Sequence, residues 1–81
     1  MQKVDCLFDD LRQGAEVQHV QVRRNTDGVS EDQVASLDEA QRLLQCGQAK
    51  AIQVRYRFDN QSWCDTLMIE SEDVRIIRTQ L

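Results

Sequence analysis

The side chains able to do chemistry in this sequence are few, and they stand apart from one another. Asp65 is the most unusual. By strand parity it shares a face with Trp63, Leu67 and Ile69. A carboxylate held among apolar groups has a raised pKa and could serve as a general acid or base. Arg78 offers a structural alternative. If Ile69 pairs with Val74, then Leu67 meets Ile76 and Asp65 meets Arg78, with the Tyr56 hydroxyl as a further donor. Opposite charges facing each other across strands are a common sheet device, so a structural Asp65–Arg78 ion pair is the expectation.

His19 and the cysteines Cys6, Cys46 and Cys64 complete the reactive set. A nucleophilic Cys–His pair would need Cys46 or Cys64 to fold beside His19, and no neighbouring residue completes a triad. Ordinary thiol behaviour is expected. There is no glycine-rich phosphate loop, no nucleophile elbow and no cluster at metal-ligand spacing. Neither a catalytic residue nor a cofactor or metal is assigned. Gly14, Gly28 and Gly47 fall at the ends of predicted elements, which accounts for them structurally.

Arg55 and Arg57 point to a different chemistry. They alternate with Val54, Tyr56 and Phe58, so they occupy the other face of their strand. Met68, Arg75 and Ile77 fall near them, together with Cys64 and Thr66. Guanidinium groups mixed with exposed apolar side chains suit the docking of an acidic partner or a phosphate-bearing ligand. Arg55, Arg57, Met68, Arg75 and Ile77 are therefore the candidate binding residues. A solvated sheet face is the plain alternative.

The elements that must position these residues are readable from periodicity. Val4, Leu7, Phe8 and Leu11 recur at helical spacing, which predicts a helix over about 3–13 that stops at Gly14. Residues 16–24 alternate weakly as a strand, with Val20 and Val22 on one face and Val17 on the other. Asn25-Thr26-Asp27-Gly28 is a turn. Ser30 as N-cap with Gln33 in the capping-box position predicts one helix over 31–45 ending at Gly47, and a break at Ser36 is the alternative.

Residues 51–69 read as a hairpin. Pairing Phe58 with Trp63 across Asp59-Asn60-Gln61-Ser62 aligns Val54 with Leu67 and Ile52 with Ile69. Glu70-Ser71-Glu72-Asp73 is a second turn, and 74–79 a last strand. The predicted fold is a single α+β domain over 1–81 in the order α-β-α-β-β-β. It has an antiparallel meander of the last three strands, the first strand at an edge and two helices on one face. The expected core is Leu7, Phe8, Leu11, Val20, Leu37, Leu44, Ile52, Val54, Tyr56, Phe58, Trp63, Leu67, Ile69, Val74 and Ile76.

Composition narrows the function. The chain has 81 residues, is 41% hydrophobic and 30% charged, and contains no proline, which is a globular rather than a disordered profile. Its net charge of −4 opposes a chain-wide attraction to nucleic acid or anionic membrane. Glu31, Asp32, Asp38 and Glu39 make an acidic stretch that complements the arginine face, so self-association is a specific expectation.

Three widely spaced cysteines argue against a disulfide framework and for a reducing compartment. Asp5, Asp9 and Asp10 stand where a signal peptide would need an apolar run, so a cytosolic location is expected. A winged-helix reading would make 37–45 the recognition helix, but it opens on Asp38 and Glu39, which suit DNA phosphates poorly. The leading expectation is a small, soluble, non-catalytic binding or adaptor protein whose partner is a protein or a second copy. Nucleic-acid binding through the sheet or a wing is the alternative. A small enzyme using Asp65 or a cysteine is third.

Overall fold

A computed structural model of the chain describes residues 2–26, 29–70 and 73–81. The elements are α1 (Gln2–Gly14), β1 (Glu16–Thr26), β2 (Val29–Val34), α2 (Leu37–Gln45), β3 (Ala49–Phe58), β4 (Gln61–Ile69) and β5 (Val74–Gln80). The strands form one antiparallel sheet in the order β2-β1-β3-β4-β5. Both helices lie on one face, giving a two-layer α+β domain. No helix among the described residues is long and apolar enough to cross a membrane.

The class, the β3–β4–β5 meander and the one-sided helices agree with the sequence expectation. The element order differs, because residues 29–34 form a strand where a helix is predicted. That segment takes the edge beside β1 (Arg24 pairs with Glu31, Val22 with Gln33), which moves the first strand to an interior position. The helix begins at the alternative site. The Ser36 hydroxyl accepts the Glu39 backbone N–H at 3.1 Å, so Ser36 is the N-cap. At the other end Gln48 N–H donates to the Leu43 carbonyl and Gly47 N–H to that of Leu44. With Gly47 at φ +73°, this is a Schellman stop. Asp27, Gly28, Ser71 and Glu72, which belong to the two predicted polar turns, lie outside the described residues.

Register is where the structure is most specific. Asp59 and Asn60 have φ of 54° and 61°, the signature of a two-residue type I′ hairpin. This tight turn aligns Tyr56 with Trp63, Val54 with Asp65 and Ile52 with Leu67. The predicted pairing is thus displaced by two residues, a shift that leaves every side chain on its predicted face. It carries Phe58 beyond the apolar rows to a position opposite Gln61, where it is 52% exposed rather than in the core.

Between β4 and β5 the predicted pairs Asp65–Arg78, Leu67–Ile76 and Ile69–Val74 are all present. On β1 a bulge at Gln18 places Val17 opposite Tyr56 and on the same face as Val20 and Val22, correcting the predicted split.

The core lies between the helices and the middle of the sheet. Phe8 and Leu11 of α1 and Ala40, Leu43 and Leu44 of α2 pack on Val20, Val22, Ile52, Val54, Tyr56 and Leu67. Leu37, Trp63, Ile69 and Val74 are half-buried at its margin. Ile76, predicted in the core, is instead 38% exposed and lies outside it, because the helices pack over β1 and β3 and leave β5 uncovered.

Arg12 holds the helices together, its Nε donating to Asp38 at 2.8 Å and its guanidinium also reaching Asp9 and Gln41. The acidic stretch is divided between two elements and largely engaged. Asp38 is held by Arg12, Asp32 by Arg23, and Glu39 by Gln33 and Arg42.

Candidate functional site

Two groups of side chains could carry a function, one on each face of the sheet. On the helix side, Asp65 is fully buried. Arg78 Nε donates to its Oδ1 at 2.9 Å and Nη2 to its Oδ2 at 3.0 Å, while the Tyr56 hydroxyl donates to Oδ1 at 3.0 Å. The fork geometry of guanidinium against carboxylate makes both bonds charge-assisted.

Burial, then the hydrogen bond to Asp65 and its charge, push the Tyr56 phenol up to about 12. The hydrogen bonds to Asp65 raise Arg78 further above its ordinary value. Both Asp65 oxygens are already accepting bonds, which is the geometry of a structural pair. Beside it, a cleft of about 420 Å³ opens between α1 and the sheet, walled by Leu7, Leu11, Phe58 and Arg78.

Among the described residues the other face carries no helix. Strand alternation and the observed registers arrange it in rows across the sheet. One row runs Asp32, Arg23, Ala51, Met68, Arg75, and the next Val34, Gln21, Gln53, Thr66, Ile77. A third runs His19, Arg55, Cys64, Thr79, and Arg57 follows beside Ser62. All five predicted binding residues therefore lie on one uncovered face. Met68 and Arg75 are direct cross-strand partners, and Arg55 and Arg57 lie further along β3.

The electrostatics of this face are uneven. Arg23 donates from Nε to Asp32 at 3.0 Å. That bond raises the arginine and lowers the carboxyl from their ordinary values. Arg55, Arg57 and Arg75 are exposed, and among the described residues none of them ion-pairs with a carboxylate. Glu16 stands opposite Arg57 without pairing to it. Met68 and Ile77 are 42% and 47% exposed. Small Ala51, between the taller Arg23 and Met68, floors a shallow depression of about 170 Å³ that Gln21, Gln53 and Thr66 also line.

Sequence reasoning misses this half of the face, His19 included. What it lacks is the pairing of β1 with β3, which sets His19, Gln21 and Arg23 beside Arg55, Gln53 and Ala51.

The remaining candidates are separated by the fold. His19 and Cys64 share a row but have β3 and Arg55 between them, about 9–10 Å apart at two strand spacings. Cys46 caps α2 in the helix layer, and all three cysteines are free. Among the described residues no three His, Cys, Asp or Glu side chains converge as metal ligands would. Tyr56 and Trp63 sit on the helix face and Phe58 at its end, so the described open face presents no aromatic ring for base stacking. With β2 in place of a helix, 37–45 has no helix-turn-helix partner. Comparison of the chain with protein-family models, with curated proteins and with solved structures finds no match.

Proposed function

We propose that the chain is a small non-catalytic binding module that docks an acidic protein surface on the open face of its sheet. The observation that carries this reading is the group Arg55, Arg57 and Arg75, exposed without a carboxylate partner among the described residues and interleaved with Met68 and Ile77. Arginine with exposed methionine and isoleucine is the composition of an interface patch, where the guanidinium supplies charge and direction and the apolar groups supply area.

Engagement of both Asp65 oxygens supports a structural role for that carboxylate, and the separation of His19 from the thiols supports a non-catalytic, cofactor-free module. Three unbridged thiols suit a reducing, cytosolic setting. The missing aromatic platform favours a protein partner over a single-stranded nucleic acid.

The test compares the wild-type chain with an Arg55→Glu/Arg57→Glu variant as bait for proteins of its native cells, at low and high salt. Acidic proteins retained by the wild type should be lost from the variant and released by salt, with the fold unchanged by circular dichroism. Equal retention by both baits would refute the reading. A salt-sensitive shift with oligonucleotides, abolished by the same substitutions, would favour nucleic acid instead.

A further inference from the structure

The edge formed by β5 carries an unused set of backbone groups, and their pattern can be assigned. Leu81 N–H donates to the Ser62 carbonyl at 2.9 Å, and Glu70 N–H to the Asp73 carbonyl at 2.8 Å. Antiparallel pairs alternate between hydrogen-bonded and non-hydrogen-bonded, so Asp73, Arg75, Ile77, Thr79 and Leu81 turn their N–H and C=O groups inward to β4. Val74, Ile76, Arg78 and Gln80 turn theirs outward. The strand has no proline, glycine or lysine and no bulge against β4, so it lacks several of the usual devices that block edge pairing. The helices leave it uncovered, and Ile76 and Ile77 are 38% and 47% exposed on its two faces.

We propose that β5 pairs antiparallel with β5 of a second copy, about a two-fold axis perpendicular to the sheet at Ile77. Three registers pair at least three of the four outward residues on each strand. With Ile76 opposite its own copy, Gln80 is left without a partner in the strand. With Arg78 opposite its own copy, two like charges face each other, which is destabilising. With Ile76 opposite Arg78, Val74 meets Gln80 and all four outward residues on each strand are bonded.

In that register Arg75 faces Thr79, and Ile77 meets its own copy in a non-hydrogen-bonded pair, where side chains approach closest. The sheet edge is therefore self-complementary in hydrogen bonds, and no arginine faces its own copy. The axis keeps both helix layers on one side. It joins the two open faces into one, with the arginine groups of both copies facing the same way. The dimer does not depend on the docking reading: Arg55→Glu/Arg57→Glu leaves the edge intact, and Ile76→Pro leaves Arg55, Arg57 and Arg75 in place.

Sedimentation equilibrium of the full chain over a range of concentrations should give twice the chain mass at the upper end. Ile76→Pro removes an outward N–H that has no partner among the described residues, a position where an edge strand tolerates proline, and should restore the single-chain mass. In a Cys6→Ser/Cys46→Ser background, Ile77→Cys should give a disulfide-linked dimer on mild oxidation, since directly opposed residues fall within disulfide reach. Arg75→Cys should not, because the two copies of that position lie about 13 Å apart along the strands. A strict monomer at every concentration, a mass that keeps growing, or equal crosslinking at positions 75 and 77 would each overturn the proposal. So would a folded Ile76→Pro dimer.

Discussion

Replacing Arg78 with Met tests whether the buried carboxylate is held by its guanidinium partner. The substitution keeps the aliphatic length and removes two charge-assisted bonds, of 2.9 and 3.0 Å, from a side chain with no exposure of its own. Removing one partner of a buried ion pair costs ~3–5 kcal/mol, chiefly because the other charge is left unpaired. The Arg78 side chain is 53% exposed, so water already shares its charge and the lower end applies.

The expected destabilisation is about 3 kcal/mol, which at a urea slope of about 1 kcal/mol/M moves the midpoint by about 3 M. Trp63, the single tryptophan, sits opposite Tyr56 at the core margin and reports unfolding by fluorescence. The companion variant is Tyr56→Phe/Asp65→Leu/Arg78→Met, which removes every polar member of the group so that none is left unpaired. Apolar replacement of a whole buried pair is often neutral, so it should lie within ~1 kcal/mol of wild type. A loss below ~0.5 kcal/mol for Arg78→Met, where solvated pairs fall, would refute the reasoning. So would a triple variant as unstable as the single one.

Tyr56 is the single tyrosine, so tyrosinate absorbance should titrate with a midpoint of about 12, falling towards the ordinary value in Asp65→Asn. Its contribution to stability is complete below about pH 10, where the phenol is protonated folded or unfolded, and is lost as pH rises through the folded value. A midpoint of about 10, the ordinary phenol value, would contradict the buried hydrogen bond. Asn60→Gly relieves a positive φ in the type I′ turn and should stabilise by ~0.5–1 kcal/mol in thermal melts. Gly47→Ala places a side chain at φ +73° and should cost about 1 kcal/mol by the same measurement, although open space surrounds the position.

Much of this architecture is legible in the residues. Strand parity in 51–69 identifies both faces, and on parity alone Arg55, Arg57, Met68, Arg75 and Ile77 gather on one side. What escapes depends on non-local contacts. Residues 29–34 carry a plausible capping box, yet the open edge of β1 offers a backbone ladder that outweighs that local preference. Gln18 cannot be recognised as a bulge until β3 lies beside it. Phe58 looks like core because it is aromatic and in phase, and only the tight Asp59-Asn60 turn leaves it past the last apolar row. The depression beside Arg23 forms only when all three neighbouring strands are aligned.

The buried pair also has an informational consequence. Shifting a strand by two residues keeps every side chain on its face, so hydrophobicity cannot distinguish the two alignments. Between β3 and β4 the choice falls to the turn. Between β4 and β5 a shift either way would set Asp65 against Ile76 or Gln80, a charge with no counter-ion. Asp65 and Arg78 thus act as an address that only one alignment satisfies. The fully apolar triple variant keeps the energy and erases the address. Its β4–β5 cross-strand contacts, read by nuclear Overhauser effects, should divide between two alignments, whereas the wild type shows one. A single native-like set would show that the turn alone is sufficient.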